Sequence, residues 1–550
     1  MPQRVTKIHP DDNVMVALTN LEEGEVINYE GKEYRLPSRV PAKHKFVLYT
    51  LNPGDPVKMY GVLVGRAQTS IEQGGVITTF NLKHAADSYT LRDRKLNWIK
   101  PDISKFVNKT FSGFYRPDGK VGTANYWLVI PLVFCENRNL EVLKNALVNE
   151  LGYGRDADKK IEVSRLIDLY KKGISPQEIL KVDVLKETKE AARQRLFPNV
   201  DGIKFLTHDG GCGGTRQDAQ ALCGLLAGYI THSNTAGATI LSLGCQNAQV
   251  QMLQEEINKR DPHFSKPLFV LEQQKIGTGV DIISLGIKQT FAGLIEANAM
   301  ERRPAPLSKL CVGLECGGSD GFSGISANPA IGYTSDLLVA LGGSVILSEF
   351  PELCGVEQDL TDRCVDEETA KRFAHLMKTY AERANEVGSG FDMNPSPGNI
   401  KDGLITDAIK SAGAAKKGGT SPITDVLDYP EPVKKPGLNL LCTPGNDVES
   451  TTAEVGSGAN IVLFTTGLGT PTGNPIAPVI KISSNSTIYN KMHDIIDINT
   501  GTIIEGTETI QQAGERILEY IISAASGKTE IAAVRNGQED FIPWKRGVSL

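Results

Sequence analysis

One pattern recurs along most of the chain: a short apolar run, a polar loop rich in glycine, and then a segment long enough for a helix. It occupies residues 203–229, 239–259 and 310–341. An apolar run of this length, bounded by glycine, is typical of a buried strand. Strands that alternate with helices at this spacing predict an open, mainly parallel sheet. Ligands of such sheets bind at the carboxyl ends of the strands, so the glycine-rich loops are the predicted site.

The longest of these loops follows the apolar run 310–314. It carries four side chains suited to contacting a ligand, namely Cys316, Ser319, Asp320 and Asn328. A loop with this many glycines packs poorly and can wrap closely around a small polar molecule. The next strand-like run, 344–347, leads into Glu349 and Glu352. A carboxylate at the end of a parallel strand is more often functional than one on a helix face, so these residues form the predicted centre of an active site.

Length and charge limit the classes of protein that the chain can belong to. At 550 residues it is too long for one core and should divide into two to four domains. Its net charge is −6, from 59 basic and 65 acidic side chains, with no basic block, so neither nucleic acid nor an anionic membrane is an expected partner. No apolar run approaches the roughly 20 residues of a membrane-spanning helix. A homo-oligomer is compatible with this size, although no motif requires one.

The cysteines predict a reducing environment. There are nine, an odd number, scattered and without a CxxC pair, so we expect no disulfide framework and a cytoplasmic location. Cys223, Cys311 and Cys364 are interpreted as small buried hydrophobic residues. Cys212 and Cys316 lie in polar, glycine-rich loops, which favours a functional role for both.

Composition changes along the chain predict the domains. Short strand candidates separated by turn sequences mark a small β-rich module, and a charged linker follows it. The fold class predicted is α/β, with that module followed by two α/β domains whose sheets are mainly parallel. The predicted boundaries are 1–90 for the module, 91–110 for the linker, and 111–302 and 303–550 for the α/β domains. Within the module, the strand candidates are 14–18, 46–49, 57–64 and 76–80.

The residues at the loops favour metal-assisted acid–base chemistry. His208, four residues before Cys212, is the candidate metal ligand or general base. The alternative is a histidine that is hydrogen-bonded beneath its loop. Mixed cysteine, histidine and carboxylate donors suit a divalent transition metal such as iron, manganese or zinc. No GxSxG, HExxH or GxGxxG after a first strand occurs, so hydrolase triads and nicotinamide chemistry lack support.

Long stretches of the chain resemble the altronate/galactarate dehydratase family, sugar-acid dehydratases with an N-terminal SAF-type β module. The resemblance runs in order through nearly the whole chain. It rests on FSGFYRPDGKVGTANYWLVIP (111–131), HDGGCGG (208–214), LSLGCQ (241–246), VGLECGGSDGFSGISANPAIG (312–332), ILSEFPELCGVE (346–357), NPSPGN (394–399), PGND (444–447) and LFTTGLGTPTGNPIAPVIKISSN (463–485).

This resemblance implies dehydration of a hexonate or hexarate to a 2-keto-3-deoxy acid. The implied cofactor is Fe²⁺, with Mn²⁺ or Mg²⁺ as alternatives, and the single-chain arrangement is most similar to dehydratases of altronate. The site residues follow as expectations. The catalytic residues expected are His208, Glu349 and Cys316; the metal ligands are Cys212, Cys316, His208, Glu349 and Glu352; and the substrate contacts are Arg116, Asn125, Ser319, Asp320, Asn328 and Asn81.

Two segments depart from the family pattern. Many members carry a run similar to HVHTHN at the end of the SAF module, whereas residues 76–81 here read VITTFN. All three histidines are replaced, Thr79 and Asn81 are kept, and His84 follows three residues later. The second departure is Ala124, where the family often has arginine.

Three alternatives stay open at this point. Within the resemblance, the substrate could be galactarate or another aldarate, or the chain could be a lyase that removes sulfite from a sulfonated hydroxy acid. A less favoured interpretation is an iron–sulfur dehydratase, with Cys135, Cys212, Cys245 and Cys316 as cluster ligands. A non-enzymatic sugar-binding protein is the third, and the β module is the only hint of it.

Overall fold

The N-terminal part of the chain is a β-rich module. The computed structural model describes residues 3–92, 96–154, 159–187 and 194–549. In the module, two antiparallel three-stranded sheets, β1-β2-β5 and β6-β7-β8, accompany the hairpin β3-β4. The strands are β1 (Val5–Thr6), β2 (Val14–Ala17), β3 (Val26–Tyr29), β4 (Lys32–Arg35), β5 (Lys45–Val47), β6 (Pro56–Met59), β7 (Val62–Ala67) and β8 (Leu82–Lys83).

Two strands predicted in this module are wrong. Residues 57–64 are not one strand but parts of β6 and β7, which pair antiparallel across a turn at Tyr60 and Gly61. Residues 76–80 contribute only a single bridge pair, between Val76 and Phe46, and then enter a turn. The Asn81 side chain stabilises this turn, because its Oδ1 accepts from Thr78 N at 2.8 Å and its Nδ2 donates to Val76 O at 2.9 Å. This local side-chain bonding competes with strand pairing in spite of the β-branched residues.

The second domain is built on a four-stranded parallel sheet in the order β14-β11-β15-β16. Its strands are β9 (Thr110–Tyr115), β10 (Val121–Gly122), β11 (Tyr126–Pro131), β12 (Lys159–Ile161), β13 (Leu185–Glu187), β14 (Gly202–Phe205), β15 (Thr235–Ser242) and β16 (Leu268–Glu272). Its helices are α1 (Asn137–Leu147), α2 (Val163–Lys171), α3 (Pro176–Ile179), α4 (Arg216–Thr231), α5 (Val250–Arg260), α6 (Gln273–Ile276) and α7 (Gly279–Ala297).

A small antiparallel sheet joins the ends of this domain. Its order is β10-β9-β17, where β17 is Arg303–Pro306. The predicted boundary at residue 302 therefore falls next to a strand that pairs with β9. Residues 93–95 of the predicted linker lie outside the described residues.

The C-terminal domain contains a seven-stranded parallel sheet in the order β20-β21-β19-β18-β22-β23-β24. The strands are β18 (Cys311–Cys316), β19 (Ser344–Leu347), β20 (Ile423–Leu427), β21 (Gly437–Leu441), β22 (Ile461–Thr466), β23 (Val479–Ser483) and β24 (Ile498–Asn499). The helices are α8 (Ala327–Ala340), α9 (Glu357–Asp362), α10 (Glu367–Glu386), α11 (Pro397–Lys401), α12 (Asp407–Ala414), α13 (Asp447–Ser457), α14 (Ser486–Lys491), α15 (Gly501–Ile504), α16 (Ile510–Ala525) and α17 (Ala532–Arg535).

Burial explains why these strands read as continuous apolar runs. Every residue of β15, β21, β22 and β23 is buried, as expected for parallel strands covered on both faces by helices. The fold class predicted from the sequence is confirmed: a small β-rich module precedes parallel-sheet α/β domains. Among the described residues, no helix combines the length and apolar character needed to cross a membrane.

The order of the C-terminal sheet locates its binding crevice. From β18 the chain adds β19, and later β21 and β20, on one side, and it then adds β22, β23 and β24 on the other. The direction of growth therefore changes between β18 and β22. Such a switch point opens a crevice at the carboxyl ends of the strands. The loop that follows Cys316 leaves β18 at this point.

The β module packs on the loop that leaves β18. Lys43 Nζ lies 3.0 Å from Asp320 Oδ2 and 2.7 Å from Asp402 Oδ1. The buried Lys45 Nζ donates to Gly403 O at 2.7 Å. Gly321 permits this approach, because a Cβ at that position would lie only 2.4 Å from Lys43 O. The module thus fixes the outer side of the crevice loop.

Candidate active site

Three buried side chains converge at the carboxyl ends of β18 and β19. Cys316 ends β18, Glu349 follows β19, and Glu352 lies in the 3-10 helix Phe350–Leu353. Cys316 Sγ is 3.1 Å from Glu352 Oε2 and 3.5 Å from Glu349 Oε2. One ligand atom from each residue lies within 4.8 Å of the other two. The structure therefore brings together three of the residues that the sequence singled out.

Two buried lysines neutralise the two glutamates. Lys417 Nζ lies 2.6 Å from Glu349 Oε2, and Lys410 Nζ lies 2.6 Å from Glu352 Oε1. Lys410 comes from α12, and Lys417 comes from the 3-10 helix Ala415–Gly418 that directly follows α12. Burial of a charge is costly unless an opposite charge compensates it, so each lysine makes a buried carboxylate tolerable.

Two lysines cannot neutralise all the carboxyl groups that lie nearby. Four further carboxyl groups, Glu315, Asp407, Asp447 and Glu454, surround the pair and interact electrostatically with it. We call these four, together with Glu349 and Glu352, the carboxyl cluster.

Burial and the two lysines shift the pKa values of the carboxyl cluster in opposite directions. Burial, together with repulsion from neighbouring carboxylates, raises the pKa of Asp447 to about 7 and that of Asp407 to about 8. Burial raises the pKa of Glu454 to about 8 and that of Glu315 well above its usual range. For Glu352, Lys410 and Lys417 outweigh the effect of burial, and its pKa is lowered. Proton donors and an ionised carboxylate thus coexist near neutral pH.

Glu349 has an uncommon backbone. Its φ is 62° and its ψ is 59°, in the left-handed region that a glutamate rarely adopts. The conformation is held by a hydrogen bond of 2.8 Å from Glu349 N to Thr443 Oγ1. Its Oε1 is buried and has no hydrogen-bond partner. Strained backbone and an unused buried oxygen are both typical of a residue positioned for a ligand.

A cavity of about 660 Å³ lies beside the carboxyl cluster. Gly445 and Asn394 line it, and both adjoin the cluster: Asn394 Oδ1 accepts from Lys410 Nζ at 3.1 Å, and Gly445 packs against Glu352. The cationic side chains in its wall are Arg383, Lys545 and Arg546, and the last of these is paired with Asp428 in the same wall. A concave site with cations in its wall suits an anionic molecule of modest size.

Several predicted substrate contacts are engaged within the protein. Asp320 Oδ1 accepts from Ser484 Oγ at 2.8 Å, and its Oδ2 is paired with Lys43. Asn328 Nδ2 donates to Gly413 O at 3.0 Å, and its Oδ1 accepts from Thr465 Oγ1 at 2.7 Å. Ser319 is buried, and its backbone oxygen accepts from Asn399 Nδ2 at 2.8 Å. These residues shape the crevice loop, and their contact with substrate stays a prediction.

Arg116 and Asn125 are bonded to each other in the second domain. Arg116 donates to Asn125 Oδ1 at 2.9 Å and to Ser233 O at 2.6 Å. Asn125 directly precedes β11, at the amino end of the sheet and opposite to the edge where ligands are expected. Burial lowers the pKa of Arg116 to about 10. Their assignment to substrate also stays a prediction.

His208 is hydrogen-bonded beneath its loop, which is the alternative to a metal ligand or general base that the sequence left open. Its side chain is buried, Nε2 lies 2.8 Å from Pro131 O, and Nδ1 accepts from Gly210 N at 3.1 Å. Burial lowers its pKa. Both ring nitrogens are thus engaged by the backbone of the second domain. Cys212 is exposed in the same loop, and neither residue belongs to a three-ligand group among the described residues.

The β module contributes His84, but Asn81 is engaged in its own turn. His84 lies with Cys354 and Asp407 so that one ligand atom of each is within 4.8 Å of the others. His84 Nδ1 and Asp407 Oδ2 are buried without hydrogen-bond partners. A module histidine therefore approaches the carboxyl cluster although the HVHTHN pattern is absent.

The sequence interpretation missed Lys410, Lys417 and Asp447. Asp447 carried a signal, since it ends the PGND segment directly after β21. The lysines carried none, because they lie in α12 and in the 3-10 helix after it, about 100 residues from Cys316 in the chain.

Comparison with known families covers nearly the whole chain. The family described as "Altronate/galactarate dehydratase SAF domain" matches residues 3–85. The family described as "D-galactarate dehydratase/Altronate hydrolase, second domain" matches residues 113–298. Residues 307–549 match "D-galactarate/Altronate dehydratase, C-terminal".

Individual relatives are similar over their full length. The altronate dehydratase of Escherichia coli (strain K12) is 33% identical over 552 residues, covering 99% of each chain. That of Bacillus subtilis (strain 168) is 31% identical over 544 residues, again covering 99% of each chain. The galactarate dehydratase (L-threo-forming) of Escherichia coli (strain K12) is 31% identical over 529 residues, covering 95% of this chain and 92% of the relative.

Proposed function

Because the chain belongs to the altronate/galactarate dehydratase family of hydro-lyases, we propose that its carboxyl cluster dehydrates a sugar acid, with D-altronate as the substrate. The product would be 2-dehydro-3-deoxy-D-gluconate. The observation that carries this assignment is the convergence of Cys316, Glu349 and Glu352 with two lysines beside a cavity with cations in its wall.

The reaction needs a base, an acid and stabilisation of negative charge. The C2 proton of a 2,3-dihydroxy acid is very weakly acidic, so its removal requires that the developing enediolate be stabilised. Lys410 and Lys417 supply fixed positive charge in a region from which water is largely excluded. A carboxylate of the pair Glu349 and Glu352 would accept the proton. Asp447, with a pKa of about 7, would protonate the departing 3-hydroxyl.

The same residues fit a divalent metal ion. Cys316 Sγ and the two glutamates offer one soft and two hard donors, a set that Fe²⁺ or Mn²⁺ accepts more readily than Mg²⁺. Glu349 Oε1 is buried without a partner and is free to serve as a ligand. When bound, the metal would supply Lewis acidity toward the substrate carboxylate and 2-hydroxyl. Whether Fe²⁺ is bound is tested by metal analysis of protein purified without oxygen.

The test is a keto-acid assay on D-altronate, galactarate and sulfolactate, each with and without Fe²⁺. We expect D-altronate to give the highest kcat/KM. Glu349→Gln should lower kcat by at least about 100-fold, in the range of a lost general base. Highest kcat/KM on galactarate, or sulfite release from sulfolactate, would reassign the substrate within the family. Turnover of none of the three would overturn the proposal.

A matched pair of cysteine variants tests the location of the site. Cys316 and Cys311 are at opposite ends of β18. Cys316→Ala should abolish metal-stimulated turnover, whereas Cys311→Ala should retain it. Equal activity of the two variants would contradict the assignment of the site to the carboxyl end of the strand.

A further inference from the structure

Three cysteines of the second domain lie in loops at the carboxyl ends of three adjacent parallel strands. Cys135 follows β11, Cys212 follows β14 and Cys245 follows β15. All three are exposed and not in disulfides. Cysteine is among the residues most often buried in proteins, so three exposed thiols at one edge of a sheet require an explanation.

The topology of this sheet places the three loops around its binding crevice. In chain order the strands are β11, β14, β15 and β16, and in space they run β14-β11-β15-β16. The first strand therefore has the second on one side and the third on the other. In sheets with this order, ligands bind outside the carboxyl ends near the first and third strands. The loops that carry the three cysteines are the ones that border this crevice.

Hydrogen bonds tie the three loops to one another. Phe134 N, beside Cys135, donates to Gly210 O at 3.1 Å. Ala248 N, in the loop of Cys245, donates to Gly211 O at 3.1 Å. The loop of Cys212 is thus bonded to both neighbours.

A glycine before Cys212 makes this close contact possible. Gly211 has a φ of 96°, and a Cβ there would lie 2.4 Å from Leu132 O, at the end of β11. Any other residue would push the loop of Cys212 away from the loop of Cys135. The backbone is thus built to hold the two loops together.

The separation of the thiols argues against one metal ion. Among the described residues, two groups of three have ligand atoms within 4.8 Å of one another, and these cysteines are not one of them. At least one pair of their sulfurs is therefore further apart. Two sulfurs on a single zinc ion cannot be more than about 4.6 Å apart, because each Zn–S bond is about 2.3 Å. The cysteines of a metal cluster bind different metal atoms and are more widely spaced.

We propose that Cys135, Cys212 and Cys245 bind an iron–sulfur cluster. Thiolates are the protein ligands that such clusters use. A two-iron cluster needs two protein ligands at each iron, whereas a four-iron cluster takes one cysteine per iron. Three cysteines therefore fit the four-iron type and leave one iron without a cysteine. The proposal concerns a site distinct from the carboxyl cluster, and it does not depend on the dehydratase assignment.

Neighbouring groups support an anionic sulfur site. Gln274 Nε2 donates to Cys245 Sγ at 3.3 Å, and hydrogen bonds to cluster sulfurs are a usual means of tuning them. The 16-residue helix α4 begins at Arg216, four residues after Cys212. The positive end of its dipole therefore lies near the same loop, where it favours negative charge.

The test is anaerobic reconstitution of the full chain with ferrous iron, sulfide and a thiol reductant. After gel filtration, we expect about four iron and about four acid-labile sulfide per chain, with broad visible absorption. Reduction should produce an electron paramagnetic resonance signal of a four-iron cluster. Binding of iron without sulfide, removable by a chelator, would overturn the proposal.

Cysteine variants separate this site from other thiols. Cys135→Ser, Cys212→Ser and Cys245→Ser should each lose most of the bound sulfide while keeping the thermal midpoint, because all three side chains are exposed. Cys311→Ser and Cys316→Ser, in the C-terminal domain, should retain the full complement. Full retention in the variant that lacks all three second-domain cysteines, or loss in Cys316→Ser, would overturn the three-cysteine assignment.

Discussion

At the scale of single residues, the site is defined by an excess of acids over bases in a buried space. Lys410 and Lys417 pair with Glu352 and Glu349, whereas Glu315, Asp407 and Glu454 keep their protons near neutral pH because burial raises their pKa values. Removal of one partner from a buried pair is more damaging than the net contribution of the pair suggests, because the other charge is left in a poor solvent.

Lys417→Met should therefore be strongly destabilising. It leaves Glu349 buried without its cation, and we expect a loss of about 3–5 kcal/mol in the free energy of unfolding. The matched control is Lys416→Met, since Lys416 is the exposed neighbour in the same 3-10 helix. Denaturant unfolding of both variants checks this, and equal stability of the two would contradict the pairing.

The raised pKa of Glu454 predicts that the stability of the fold depends on pH. Its pKa is about 8 in the folded chain against a usual value of 4.5, so folding favours the protonated form. This contribution is complete below pH 4.5 and is lost as the pH rises toward 8, at about 1 kcal/mol per pH unit. Glu454→Gln cannot ionise, so the stability of the wild type relative to this variant should fall across that window. A difference that is constant with pH would contradict the prediction.

Asp447 predicts a pH dependence of turnover. If it donates a proton to the leaving hydroxyl, its protonated form is the active one, and kcat should fall as the pH rises through about 7. Asp447→Asn should lower kcat by about 100-fold or more and should abolish this limb of the pH profile. An unchanged limb in the variant would assign the titration to another group.

At the scale of secondary-structure elements, the sequence predicts which residues lie at the carboxyl ends of the strands. It does not predict which residues of the helices pair with them. Cys316, Glu349 and Glu352 meet because β18 and β19 are adjacent parallel strands, which follows from the strand–loop–helix pattern. Lys410 comes from α12 and Lys417 from the 3-10 helix that follows it, and no local sequence pattern shows that these two helices lie beside the crevice. The predicted strand at 76–80 failed because Asn81 stabilises a turn, a contact that β-propensity does not register.

Gly317 shows how tightly these elements fit. A Cβ at this position, one residue after Cys316, would lie 2.0 Å from Asp447 Oδ2. Gly317→Ala should therefore displace the start of α13 and lower kcat more than it lowers the thermal midpoint. Gly342→Ala, in the exposed turn before β19, has a positive φ but no such contact, and it should affect stability without a comparable loss of turnover.

At the scale of the whole molecule, the β module contacts the C-terminal domain next to the candidate site. Lys43 reaches Asp320 and Asp402, and His84 approaches Cys354 and Asp407. Domains that are far apart in the sequence are therefore in contact in the structure. The module lies next to the domain from which it is separated by about 200 residues of sequence.

Lys43→Met should loosen this contact. Asp320 would lose its cation while buried, so we expect a lower thermal midpoint and a raised KM, with a smaller effect on kcat. The comparison variant is Lys32→Met, at an exposed position of the β3–β4 hairpin. Steady-state kinetics and thermal unfolding check the pair, and indistinguishable variants would show that the contact has no influence on the crevice.

The carboxyl cluster has a consequence for calorimetry. Six carboxyl groups share two lysines, so the cluster holds protons that an arriving sugar-acid anion can redistribute. Each added negative charge raises the proton affinity of the neighbouring acids, and binding should draw protons from the solution. The heat measured on binding will then include the ionisation of the buffer. Titrations in two buffers of different ionisation enthalpy would yield the number of protons taken up per substrate bound.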